Sequence, residues 1–310
     1  MNSGISEGGG SLLALSDELT RAVEHASRAV VTIYARERTP SSGIHWSKGT
    51  VVTAAHTIRR KENIGLKLPD GQKVAASLAG VDFATDLAVL KIEATEMPSA
   101  ELGQSADLKP GYLVLGVGRR GDVGLKANLG LVSSTGGPWQ SWGGGQIDQY
   151  IQADLPRYPG FSGSALVDVQ GRIVGVNTSG LSRRLTLALP NSTVERIAGV
   201  LLEKGRVPRG FLGLGMHPVR LPETLKNRLN LATNTGVIVL QVEPNGPADQ
   251  GGVLIGDVLV ALDGKPTQGP EEVQAALTLA SVGKTVKALV IRGGVMAESS
   301  IVIGERPRRR

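Results

Sequence analysis

The feature that most limits this chain is its middle. From residue 29 to residue 190 it is a series of short β-branched or apolar segments separated by turn signals, with no helical crossover between them. AVVTIYA (29–35), GTVVTAA (49–55), IGLKL (64–68), KVAASLAGV (73–81), LAVLKI (87–92), YLVLGVG (112–118), ALVDV (165–169) and RIVGVN (172–177) each read as a strand. PDG at 69–71, KPG at 109–111 and QG at 170–171 mark turns between them. Short strands at regular spacing without crossover helices require an antiparallel barrel or sandwich. A pair of barrels fits the length of 30–190. Glycine supports this reading: 42 of 310 residues is about twice the usual ~7%, without collagen periodicity.

The flanks have a different texture. Residues 1–15 are expected to be disordered, on their Gly/Ser-rich start. A helix is expected from Ser16, with Leu19, Val23 and Ala26 at helical spacing. STVERIAGVLLEKG (192–205) reads as a helix capped by Ser192 or Thr193 and stopped by Gly205. VPRG (207–210) reads as a linker. Beyond it, strands FLGLGM (211–216), GVIVLQVEP (236–244), GDVLVALDG (256–264), TVKALVIRGG (285–294) and SSIVIG (299–304) enclose two helices, 222–229 and 270–280, each with Pro in the first turn. The expected organisation is a mostly β protein: a double β-barrel at 16–206, an α+β module at 207–304 and a basic tail at 305–310.

Composition removes several classes of chemistry. There is no cysteine, so disulfides, thiolate nucleophiles and thiolate-bound metals are excluded. Four histidines without an HExxH pattern give no metal or cofactor expectation. The net charge of +6 draws on Arg306, Arg308, Arg309 and Arg310 at the tail; such a short basic end reads as solvated, and no nucleic-acid partner is expected. No apolar run approaches the ~18 residues of a membrane span. No signal segment is visible, so the sequence as given reads as cytoplasmic, with the compartment unknown. GVGRRG (116–121) matches GxGxxG but lacks the helix that a dinucleotide site needs.

Three positions carry candidate chemistry. His56 follows a β-branched strand in VVTAAHTI, where an imidazole can face a cleft; the alternative is a surface histidine at a strand end. Asp86 abuts the apolar strand in DFATDLAVLKI, so its carboxylate needs a donor, either an imidazole or a turn; Asp82 nearby is not adjacent to the strand. Ser162 lies in the turn Gly160-Phe161-Ser162-Gly163, where backbone N–H groups can converge beside a hydroxyl. The order His, Asp, Ser on a double-barrel pattern is that of the chymotrypsin type of triad.

These motifs resemble the HtrA/Deg serine proteases, in which a trypsin-like barrel pair precedes a PDZ domain. TAAH (53–56) resembles that family's histidine motif, TDLAVLKI (85–92) its aspartate motif, YIQADLPRYPGFSGSALV (150–167) its serine motif, and LTLALP (185–190) a wall of its specificity pocket. The resemblance implies Ser162 as nucleophile, His56 as general base, Asp86 as its orienting carboxylate, and the amides of Gly160 and Ser162 as oxyanion donors. It also places Arg157, Leu185 and Leu187 at the specificity pocket. Phe161, Ser164, Ala165, Tyr158 and Arg157 depart from the family pattern. The departures at Tyr158, Phe161 and Ser164 motivate the alternative of a proteolytically latent peptide-binding scaffold or chaperone.

FLGLGM resembles a PDZ carboxylate-binding loop, with Phe211, Leu212, Gly213 and Leu214 at the matching positions, and 246–266 resembles the segment that follows in such domains. The implied partners are unfolded proteins or peptides with free hydrophobic C-termini, docked by β-augmentation. The resemblance also implies a homo-oligomer, a trimer. His45 and Trp46 are expected at the rim of the first barrel. Trp139 and Trp142 fall in a glycine-rich loop (133–145) that reads either as a regulatory loop or as a plain hairpin.

Overall fold

The computed structural model describes residues 8–37, 39–93, 96–121, 123–277 and 281–305. The chain divides into two compact units, Met1–Val207 and Pro208–Arg310. Among the described residues no helix is long and apolar enough to cross a membrane.

The first unit holds two closed six-stranded barrels. The first barrel uses β1 (Val30–Tyr34), β2 (Ser41–Ser47), β3 (Thr50–Ala54), β4 (Ile64–Lys67), β5 (Lys73–Asp82) and β6 (Leu87–Ile92), in the order β1-β2-β3-β6-β5-β4. Its interior is filled by Val31, Ile33, Val51, Ile64, Leu66, Ala88 and Leu90. Each alternates with a neighbour on the other face, as the two-residue strand period demands. β3 and β6 are antiparallel with Ala54 opposite Leu87. That register brings the residues just after β3 beside those just before β6.

The second barrel uses β7 (Leu113–Arg120), β8 (Gly124–Gly136), β11 (Tyr150–Ala153), β12 (Ala165–Val167), β13 (Ile173–Thr178) and β14 (Leu187–Pro190), in the order β11-β14-β13-β12-β7-β8. Between β8 and β11 the chain makes a small hairpin of β9 (Trp139–Gln140) and β10 (Gln146–Ile147). The β12–β13 pairing sets Ala165 opposite Val176 and Leu166 opposite Gly175. Carried outward, it aligns the turn before β12 with the segment after β13. β7, the strand that contains most of GVGRRG, pairs directly with β8 and not with a helix.

Several expectations need correction. Helix α1 runs Gly8–Ser27, so it starts before Ser16 and includes residues expected to be disordered. Leu12, Leu15, Leu19 and Val23 line one groove with Leu115, Leu125 and Leu129, and this apolar stripe extends the helix toward its N-terminus. Helix α2 (Asn191–Lys204) has Pro190 as its N-cap and no side-chain cap; Thr193 Oγ1 instead accepts from the Asp148 amide at 2.9 Å. Gly205 ends α2 in the left-handed region at φ 71°. His45 and Trp46 are buried on β2 rather than at a rim.

The second unit is a sheet in the order β16 (Leu214–Arg220), β17 (Thr235–Val242), β18 (Val258–Leu262), β20 (Thr285–Arg292) and β21 (Val295–Val302). β19 (Lys265–Pro266) pairs with β18, and β15 (Gly210–Phe211) pairs with β22 (Gly304–Glu305). Helices α3 (Glu223–Arg228), α4 (Pro247–Gln250) and α5 (Pro270–Ala276) complete it. α4 is absent from the sequence reading because one turn is too short to show a period. α5 stops at Ala276, with Leu277 outside it as the C-cap; 278–280 of the expected helix lie outside the described residues, as do Arg306–Arg310 of the tail. The Asp257 carboxylate takes two bonds from the Arg292 guanidinium at 2.8 and 2.7 Å, which holds it below the usual carboxylate range.

Candidate active site

His56 sits in a single 3-10 turn, Ala55–Thr57, directly after β3. Asp86 sits directly before β6 in the left-handed region, at φ 57°, a conformation that Asp and Asn tolerate better than other side chains do. Asp82 builds the turn that sets this up. Its Oδ2 accepts from Thr85 Oγ1 at 2.7 Å and from the Thr85 amide at 3.2 Å. The two aspartates thus divide the labour: Asp82 closes the turn and Asp86 faces the imidazole.

The Asp86 side chain is only 4% exposed, so its charge must be paired. His56 Nδ1–H donates to Oδ2 at 2.7 Å, and the His56 backbone amide donates to Oδ1 at 2.8 Å. Thr178 Oγ1 also donates to Oδ2. A backbone bond from the Ala55 amide to the Asp86 carbonyl, 3.0 Å, ties the two loops together. With Nδ1 donating, Nε2 is left as the acceptor on the far side of the ring, the tautomer a general base needs.

Ser162 is reached from the other barrel. Gly160 has φ 91° and Gly163 has φ 85°, so both positions need glycine. Gly163 is also held by close approach, since a Cβ there would collide with the Ser42 carbonyl and Thr53 Oγ1. The Gly160 carbonyl accepts from Ser42 Oγ at 2.9 Å. Among the described residues, the amides of Gly160 and Ser162 donate to no acceptor within the chain. Ser162 Oγ is paired with Ser179 Oγ at 2.9 Å and accepts from the Ser179 amide at 3.2 Å.

One segment, missed in the sequence, touches all three residues. Thr178 bonds to Asp86, Ser179 bonds to Ser162, and Gly180 lies so close to Asp86 and His56 that a Cβ would come within 3.0 Å of both side chains. The Gly180 amide donates to Thr178 Oγ1 at 2.9 Å, fixing that hydroxyl toward the carboxylate. The available signal was its position: Asn177-Thr178-Ser179-Gly180 ends the strand that pairs with the serine strand.

Trypsin-like peptidase domains match residues 41–176, and PDZ domains match residues 210–303. Over its length the chain is similar to an HtrA-type protease AlgW solved with a tripeptide: 31% identical, TM-score 0.74, covering 94% of this chain and 98% of that one. The chain belongs to the HtrA-type protease family. A serine endoprotease from Yersinia pestis is similarly related, at 30% identity and TM-score 0.74 over 93% of this chain and 98% of the other. Among curated relatives, the serine protease HhoB of Synechocystis sp. is 30% identical, over 83% of this chain and 64% of its own length. A protein of Pseudomonas fulva named as a DegP-like periplasmic serine endoprotease is 31% identical, over 86% of this chain and 56% of its own length. The chain therefore spans only about half to two thirds of these curated relatives.

Tyr158, Phe161 and Ser164 of this HtrA-type chain are set by packing and hydrogen bonds within the second barrel. Phe161 is 1% exposed and lies in the core of the second barrel with Leu155, Leu166 and Val174. Its ring meets Tyr158 edge-on, centroids 5.5 Å apart. Burial pushes the Tyr158 phenol up to about 12, so it stays neutral, and Lys126 Nζ lies 3.9 Å from its ring centroid. Ser164 is buried, and its Oγ accepts from Asn177 Nδ2 at 3.1 Å.

The three residues expected at the specificity pocket lie in different surroundings. Arg157 is exposed and donates to the carbonyls of Ser182 and Arg183, bracing that loop. Leu185 is 40% exposed, whereas Leu187 is buried on β14 opposite Thr178. The Trp139–Gln140 hairpin is packed onto the aspartate loop. Ser141 Oγ donates to the Ala84 carbonyl, and Gly143 and Gly145 press on Ala84.

In the PDZ unit, Leu212 and Gly213 link β15 to β16, with Gly213 at φ 78°. The Leu212 carbonyl accepts from Ala248 and the Gly213 carbonyl from Glu243, both at 2.8 Å. With those carbonyls turned inward, the Leu212 and Gly213 amides have no acceptor among the described residues. β16 is an edge strand, open on the side away from β17.

Proposed function

We propose that this chain is a serine endopeptidase in which Ser162 attacks the scissile carbonyl, His56 takes and returns the proton, and Asp86 holds the imidazole and stabilises its charged form. The observation that carries this reading is the doubly bonded His56–Asp86 pair, with the carboxylate buried and the ring oriented by Nδ1. The amides of Gly160 and Ser162 are assigned to the developing oxyanion because they are unspent and flank the nucleophile. Arg157, Leu185 and Leu187 remain our candidates for the side-chain pocket, with Arg157 acting by shaping the 182–183 loop.

The PDZ unit is assigned to peptide capture. A hydrophobic C-terminus would add as a strand to β16, its carboxylate meeting the amides of the Phe211, Leu212, Gly213 and Leu214 loop. Tethering a chain end in this way raises the local concentration of the scissile segment. The substrates are then unfolded or tagged proteins, and the assembly is a trimer. Casein cleavage by the chain and by Ser162→Ala, with and without hydrophobic C-terminal peptides, tests the reading. Cleavage that disappears in Ser162→Ala and rises with peptide supports it.

A second reading, a latent peptide-binding scaffold, draws on one specific observation: Ser162 is bonded to Ser179 and not to His56. Peptide binding without cleavage under every condition selects that reading. Unliganded proteases often show loose catalytic hydrogen bonds that tighten on substrate, which is why the cleavage assay decides.

A further inference from the structure

The Ser162–Ser179 contact forms just beyond the regular β12–β13 pairing. β12 and β13 pair with Ala165 opposite Val176. The pairing continues past the strand ends, because the Asn177 amide donates to the Ser164 carbonyl at 2.9 Å. There the regular register breaks: the Asn177 carbonyl accepts from the Gly163 amide at 2.9 Å, while the Ser164 amide turns back to the Phe161 carbonyl at 3.0 Å. Across this irregular turn the two hydroxyl oxygens still come to 2.9 Å.

The Ser179 amide already donates to Ser162 Oγ at 3.2 Å. Ser162 therefore accepts from the Ser179 backbone, and since either hydroxyl of the 2.9 Å pair can donate to the other, Ser179 Oγ is an available acceptor for the Ser162 proton. Proton removal by His56 needs that same proton to point at Nε2. No bond joins Ser162 to His56 among the described residues, while the His56–Asp86 side is fully bonded. The arrangement sets up a competition of two acceptors for one serine proton, and in the resting chain Ser179 is the one bonded to Ser162.

We propose that Ser179 is a positioning residue that holds the Ser162 hydroxyl away from His56 in the unliganded protein and so lowers the reactivity of the resting enzyme. This rests on Ser162 being the nucleophile. Thr178 and Gly180, on either side, contact the His56–Asp86 pair, so Ser179 is the one member of the segment whose side chain acts on the serine.

The test is the second-order rate of labelling by diisopropyl fluorophosphate, followed by intact-protein mass. In that reaction the Ser162 oxygen bonds to phosphorus, the phosphorus–fluorine bond breaks, fluoride leaves and the serine proton passes to His56. Ser179→Ala removes the competing acceptor but leaves the backbone amide. The rate is expected to rise about three- to tenfold, the factor that one ordinary hydrogen bond accounts for. Ser179→Thr keeps a hydroxyl and brings the rate back toward that of the unaltered chain. A gain in rate is not a result that structural damage produces. An unchanged or lower rate in Ser179→Ala, with labelling still lost in Ser162→Ala, overturns the role of Ser179 alone. Labelling that survives Ser162→Ala overturns the nucleophile assignment and the inference with it.

Discussion

The aspartate–histidine half of the site and the serine half are built to opposite plans. The first half spends its carboxylate in full: Asp86 accepts from the His56 ring, the His56 amide and Thr178, and the loop beneath it is closed by Asp82. The second half withholds them. The Gly160 and Ser162 amides are unspent, and the Ser162 hydroxyl is engaged by Ser179. The lesson is that a buried charge must be satisfied before substrate arrives, whereas oxyanion donors are useful only if they are unsatisfied until then. What steadies the second half is apolar: Phe161, packed in the barrel core, anchors the turn from below.

That contrast can be broken from either side. The largest effect is expected from Asp86→Asn. It keeps a residue that tolerates φ 57° but removes the charge that orients His56, and kcat on a peptide substrate should fall by about 10⁴-fold. A loss below about tenfold would mean the pair is structural. Next comes Phe161→Ala, which empties a fully buried aromatic site. Urea unfolding should show a loss of about 3–5 kcal/mol, and a cost under about 1 kcal/mol would show that the serine turn does not depend on its anchor. The smallest is Thr178→Val, which deletes one donor to Asp86 at nearly constant shape. A fall in kcat of roughly tenfold with KM unchanged is expected; a change confined to KM would assign Thr178 to substrate binding instead.

Much of the fold was readable because buried strands repeat every two residues and end at Gly or Pro. β1, β3, β4, β5 and β6 were read in this way. β2 was not, because SSGIHWS is polar by composition yet buried: Ser42 Oγ donates to the Gly160 carbonyl at 2.9 Å and His45 Nδ1 pairs with the Pro98 carbonyl at 3.0 Å, while Ser41 Oγ and His45 Nε2 find no partner among the described residues. Early Gly8–Leu15 helix also escaped notice, since glycine and serine argue against a helix and Leu12 and Leu15 share a groove with β7 and β8 residues only in the folded chain. At the site, His56, Asp86 and Ser162 stood out because each sits at a strand end in a marked context. Thr178, Ser179 and Gly180 did not. Their roles depend on how the end of β13 meets the serine turn and the aspartate loop, which no local pattern encodes.

The measurement that tests the central claim most directly is the proton NMR signal of the His56 Nδ1–H in the unliganded protein. A short bond to a buried carboxylate should place it far downfield. The account predicts that this resonance is present before any substrate is added, persists in Ser162→Ala and vanishes in Asp86→Asn. A resonance that is missing in the unliganded protein and appears only when Ser162 is modified would contradict it, because the aspartate–histidine half would then be assembled by substrate and not by the fold.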